Sequence, residues 1–142
     1  MSTYIAPVRD MQFVMNELAG LEAVTQLPGH EESSPDLVEA IMDEAGKFAS
    51  EVIDPINSVG DRQGCTWKEG VVTSADGYKD AYKLFVETGW NAMPCATEFG
   101  GQGLPKTIGA ACGEMLNSAN MSFALCPLLS DGAIEALLTA GS

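Results

Sequence analysis

The stretch SPDLVEAIMDEAGKFASEVIDP, residues 34–55, decides how the rest of the chain is read. Leu37, Val38, Ile41, Met42, Ala45, Phe48, Ala49, Val52 and Ile53 recur at a period of about 3.6 residues, which sets them on one stripe of a helix. Ser34 suits the N-cap, and Pro35 suits the first helical position, where a missing N–H costs nothing. Asp36 and Glu39 complement the positive end of the helix dipole. Pro55 disfavours helical geometry at Asp54, so the helix is expected to end or kink there. INSVGDRQG, residues 56–64, adds a turn or two before Gly60 and Gly64 stop it.

Helical periodicity recurs outward from this stretch. On the N-terminal side a shorter helix is expected from Pro7 to Leu18, with Val8, Met11, Val14, Met15 and Leu18 on one face. GHEESSP, residues 29–35, has no apolar residue to bury and reads as a surface loop. On the C-terminal side, Val71, Val72 and Thr73 favour extended backbone between Cys65 and Thr73, but one short run does not make a sheet. ADGYKDAYKLFVETGW, residues 75–90, is a second amphipathic helix, with Tyr78, Ala81, Tyr82, Phe85 and Val86 on its stripe and Gly89 as its stop. KTIGAACGEMLNSAN, residues 106–120, places Ile108, Ala111, Cys112, Met115, Leu116 and Ala119 together. In residues 121–142 the only charges are Asp131 and Glu135, the mark of a central helix. Pro127 reads as a start or a kink, and Ser130 or Asp131 as the cap of a final helix through Leu138. The fold class is all-α: a bundle of about five or six helices.

Composition narrows the function. The chain has 142 residues, 46% of them hydrophobic, which fits one domain with a real core. Its formal net charge is −13, from 20 acidic and 7 basic residues, so neither nucleic acid nor an anionic membrane surface is an expected partner. The acids are spread along the chain as on solvated helix faces. Cys65, Cys95, Cys112 and Cys126 form no C-x-x-C pair, and the single histidine, His30, lies in the polar linker, so no metal site is expected. Without a secretory leader, the cysteines read as reduced, mostly buried thiols of a cytoplasmic protein. No run approaches the roughly 18 apolar residues of a membrane span.

The glycine-rich TEFGGQGLPKT, residues 97–107, invites a phosphate-loop reading and fails it. Pro105 stands where a phosphate loop needs the glycine before its lysine, and proline has neither the N–H nor the free φ. The dinucleotide pattern fails too, because Lys106 stands at its third glycine. Gly100, Gly101 and Gly103 therefore read as residues of a tight connection, with at least one at positive φ. No catalytic constellation stands out. His30 lies in a linker where nothing fixes its tautomer, and Glu114 reads as the polar edge of an apolar stripe rather than a general acid or base. Trp67 and Trp90 serve equally as packing anchors or ligand platforms.

Five motifs occur in one order: YIAPVRDMQFVMNEL at 4–18, GW at 89–90, EFGGQGLP at 98–105, GEMLNSANMSFAL at 113–125 and LLTAGS at 137–142. Their order and spacing resemble the acyl-CoA dehydrogenase family. The first resembles the N-terminal extension of one subgroup, which includes the long FadE-like enzymes and those acting on methylthiopropionyl-CoA. The resemblance implies an extension helix and linker over residues 1–33 and the family's N-terminal helical domain over residues 34–142. It implies an enzyme that uses FAD, takes an acyl-CoA substrate and hands electrons to a transfer partner. There a carboxylate removes the α-proton while the β-hydride goes to the flavin. The β-domain and C-terminal bundle, with their flavin-contacting segment and catalytic glutamate, have no counterpart here, so no catalytic or cofactor-binding residue is carried over. By the same resemblance Met121, Phe123, Leu125 and Leu128 are candidates to line the deep end of an acyl pocket; plain core is the competing reading. The alternative function is a self-standing helical interaction module. The apolar stretch from Ile108 to Leu138 is expected to leave an exposed face and to favour a homo-oligomer.

Overall fold

A computed structural model describes residues 3–30 and 32–141. Met1 and Ser2 of the extension, Glu31 of the linker and Ser142 of the closing motif lie outside the described residues. The architecture is all-α with one small hairpin: α1 (Val8–Phe13), α2 (Leu21–Thr25), α3 (Pro35–Phe48), α4 (Asp54–Gln63), β1 (Thr66–Lys68), β2 (Val71–Thr73), α5 (Tyr78–Glu87) and α6 (Lys106–Ala140).

Ser34 caps α3 as its sequence requires, with the Leu37 N–H donating to Ser34 Oγ at 3.2 Å. Val38, Met42, Ala45 and Phe48 are buried along its stripe. Pro55 does not end the helical path. A π turn, Ala49–Ile53, follows α3 directly, and α4 begins at Asp54. Proline cannot donate to the carbonyl four residues back, and the wider π turn ahead of it takes up that mismatch. Gly60 does not stop α4 either. Gly64 does, at φ 62°.

A second π turn, Val14–Leu18, extends α1. Met11 and Met15 are buried as expected, but Leu18 is 74% exposed and Val14 is exposed too. Val14 sits at the edge of the stripe, and the under-wound turn carries Leu18 away from it. The polar linker is more than a surface loop. Ser33 is buried, and His30 Nδ1 lies 3.2 Å from the Gly103 carbonyl oxygen, so the ring is held after all.

The extended stretch makes a two-stranded antiparallel sheet, with Trp67 opposite Val72. Glu69 and Gly70 both take positive φ, 51° and 84°, as a primed two-residue turn requires. Both strands are exposed.

α6 is bent. Asn120 leaves helical geometry at φ −162°, ψ 91°, dividing the helix into a proximal arm, residues 106–119, and a distal arm, residues 121–140. The bend falls seven residues before Pro127, where the sequence suggested it. Pro127 instead lies buried inside the distal arm, and neither Ser130 nor Asp131 starts a helix. Lys106 Nζ meets Glu135 Oε2 at 2.8 Å. A straight helix would separate residues 29 apart by about 43 Å, so the distal arm folds back along the proximal one. Ile108, Cys112 and Met115 of the proximal arm enter the core with Met42 and Ile53. By length and composition alone α6 is long and apolar enough to cross a membrane, contrary to the sequence expectation, and its most apolar window is 11% buried. It is nevertheless bent in the middle and carries Asp131 and Glu135 in the distal arm.

Candidate functional site

The folded-back arms of α6 enclose a groove of about 710 Å³. One wall is the proximal face with Gly109, Ala110, Gly113 and Leu116. The other is the distal face with Ala124, Pro127, Leu128, Asp131 and Gly132, and Phe85 and Trp90 form the floor. Phe85 is held by ring contacts to Phe48, Tyr82 and Phe123, the last edge-on at 5.7 Å. Phe48 also stacks at a tilt on Trp90, 6.0 Å between centroids. A rigid aromatic base therefore sets the depth of the groove.

The walls are lined by glycines that the backbone does not require. Gly109, Gly113 and Gly132 all lie inside α6 at ordinary helical φ. A Cβ on Gly113 or Gly132 would meet nothing within 4 Å, and one on Gly109 would make only ordinary contact with Pro94. Glycine inside a helix costs roughly 0.5–1 kcal/mol relative to alanine. Here that cost keeps space open between two helices.

Charge sits only at the mouth. The Lys106–Glu135 pair is solvent-exposed and contributes little to stability. Asp131 lines the same end, and loss of water raises its carboxyl pKa above the ordinary value. Burial pushes the Cys112 thiol up to about 11, so it is an inert core residue. Cys65 and Cys126 are exposed, against the expectation of mostly buried thiols. Glu114 is exposed and faces away from the groove lining. Among the described residues no cluster of histidine, cysteine or carboxylate groups is placed to hold a metal.

The glycine loop offers no phosphate cradle. Five successive N–H groups, from Gly100 to Leu104, donate to the carbonyls of Thr97, Ala96, Ala92, Cys95 and Met93 at 2.9–3.1 Å. Gly100 and Gly103 take positive φ, 83° and 65°, as a tight connection needs. With its amides turned inward, the loop does not fit the pyrophosphate of a flavin dinucleotide either.

The four candidate pocket residues are dispersed. Leu128 lines the groove and is 54% exposed. Phe123 is buried in the aromatic floor cluster. Met121 and Leu125, 61% and 51% exposed, lie on the distal arm outside the groove lining. Sequence reasoning missed Gly113, Gly132 and Asn120. The glycines carried a signal, being helix-interior residues without a turn to make. Asn120 carried one as well, as a capping residue type at the head of an apolar run.

No family model matches the chain. Over 99% of its length it is 45% identical to 3-methylmercaptopropionyl-CoA dehydrogenase of Ruegeria pomeroyi, and it spans 24% of that protein's length.

Proposed function

We infer that a chain matching one quarter of an acyl-CoA dehydrogenase along its whole length belongs with that family, as its N-terminal helical domain. The single observation that carries this is the 45% identity, sustained over 99% of the chain. The domain's part in the reaction is to bind and exclude water rather than to transfer protons or electrons. Its groove is apolar at the base, walled by glycines, and charged only at the mouth. That shape suits the hydrocarbon part of an acyl-CoA thioester, with the polar remainder outside. The flavin, FAD, and the carboxylate base would be held by parts of such an enzyme beyond this domain. Unpaired, partly exposed cysteines suit a reducing compartment, in keeping with a cytoplasmic location.

The second reading, an interaction module, draws on the distal arm, where Leu125, Leu129, Leu137 and Leu138 are exposed. Contiguous apolar surface of this kind seeks cover, either from other domains of the enzyme or from a second copy of the chain.

The groove is tested at Gly113. Gly113→Ala adds a methyl to open space and relieves a helix-interior glycine, so it should stabilise the domain by roughly 0.5–1 kcal/mol. Gly113→Leu should keep the fold but fill the groove and weaken binding of a fluorescent long-chain fatty acid severalfold, with Trp90 as the reporter. Undiminished binding to a folded Gly113→Leu protein would show that the apolar chain sits elsewhere.

A further inference from the structure

Asn120 is 1% exposed, a polar side chain in an apolar stretch, and every polar atom of its amide is engaged. Its Oδ1 accepts the Phe123 N–H at 3.1 Å, which caps the distal arm. Its Nδ2 donates to the Ile53 carbonyl oxygen at 3.4 Å, tying the bend to the π turn before α4. The Tyr78 hydroxyl at the start of α5 lies within hydrogen-bonding distance of both amide atoms, at 3.1 and 3.2 Å. Tyr78 reaches this point because Gly60 has no side chain; a Cβ there would run into the Tyr78 hydroxyl and ring. One turn on, Phe123 is locked among Tyr78, Tyr82 and Phe85. Beyond Ala124 every residue of the distal arm except Pro127 is exposed. The arm is thus a lever fixed at its base, with one exposed ion pair, Lys106–Glu135, near its far end.

We propose that the buried Asn120–Tyr78 pair is the positioning element that sets the angle between the two arms of α6, and so the width of the groove and the bulk of the chain it admits. The proposal rests on reading the groove as the site of an apolar chain. The leverage is large. Glu135 lies about 22 Å along the arm from Asn120, so a rotation of about 10° at the bend moves it by about 4 Å, enough to part it from Lys106. Without the side chain at 120 the bend loses its cap and its ties to the π turn and α5, and a continuous helix becomes the competing geometry.

The test uses the ion pair as a ruler. Lys106 and Glu135 are coupled with a water-soluble carbodiimide, and the crosslinked peptide is quantified by mass spectrometry in the intact chain without any ligand. Asn120→Ala and Tyr78→Phe should each lower the coupling yield severalfold. Tyr78→Phe keeps the ring in its cluster and serves if Asn120→Ala does not fold. Met42→Ala weakens the core without removing any hydrogen bond of the bend and should leave the yield unchanged. In a Trp67→Phe background the same two bend variants should make Trp90 more quenchable by acrylamide. Undiminished coupling in both bend variants, or an equal loss in Met42→Ala, overturns the proposal. Coupling lost while fatty-acid affinity stays constant upholds the positioning role and instead overturns the groove as the chain's site.

Discussion

Gly101→Ala is expected to destabilise the domain by about 3 kcal/mol or more, well beyond Gly100→Ala or Gly103→Ala at about 1–2 kcal/mol each. The order runs against a reading based on backbone angles alone, since Gly100 and Gly103 hold the positive φ values and Gly101 does not. What Gly101 supplies is proximity. A Cβ there would fall on the Cys95 carbonyl, a backbone group that is itself bonded to the Gly103 N–H at 2.9 Å. Neither partner can move without breaking the inward amide ladder of residues 100–104. At the other two positions a methyl meets open space at Gly100, and only the Thr97 methyl at 3.4 Å at Gly103, so the cost is conformational. Chemical denaturation of the three variants side by side checks the order. Equal losses would mean that the loop has slack at the Cys95 carbonyl.

Phe85→Ala should be costlier still, about 3–5 kcal/mol, from a total stability of about 5–15 kcal/mol for an ordinary domain. Phe85 is buried and joins the rings of Phe48, Tyr82 and Phe123, so it connects α3, α5 and the base of the distal arm. It is also the floor of the groove. Removing it opens a cavity beneath the groove that rigid helices collapse only in part. The melting temperature should fall by roughly 10 °C or more, and Trp90 emission should shift with it. A loss below about 1 kcal/mol would show that the aromatic cluster does not hold these elements together.

Much of this was legible in the residues. Ser34 and Pro35 place the start of α3, Gly89 ends the reach of α5, and Met11 and Met15 mark the buried face of α1, because each depends on local geometry. The failures share a cause. Pro55 and Pro127 are strong local breakers, yet helical structure runs on through both: at Pro55 a π turn makes room, and Pro127 is carried inside the distal arm. The true bend falls at Asn120, whose partners Ile53 and Tyr78 lie 67 and 42 residues away in sequence. A long-range hydrogen bond of that kind leaves no periodic trace. Leu18 departs from its stripe for a local reason, since a π turn resets the phase. The candidate site was half legible. Resemblance pointed to residues 121–128, but a helix apolar on most sides does not reveal which side faces a groove. Leu128 does, Phe123 faces the core, and Met121 and Leu125 face out. The better signal lay in the glycines, residues 113 and 132, which weaken their helix without making a turn.

As proposed, this chain supplies an acyl-binding helical domain and leaves the redox chemistry to the remainder of a dehydrogenase. The most direct measurement replaces the matching quarter of the Ruegeria pomeroyi enzyme with this chain and follows acyl-CoA-dependent reduction of an artificial electron acceptor. A chimera that folds and oxidises an acyl-CoA, and that loses most of this activity on Gly113→Leu, is the result expected. A chimera that folds but turns over no acyl-CoA would contradict this reading.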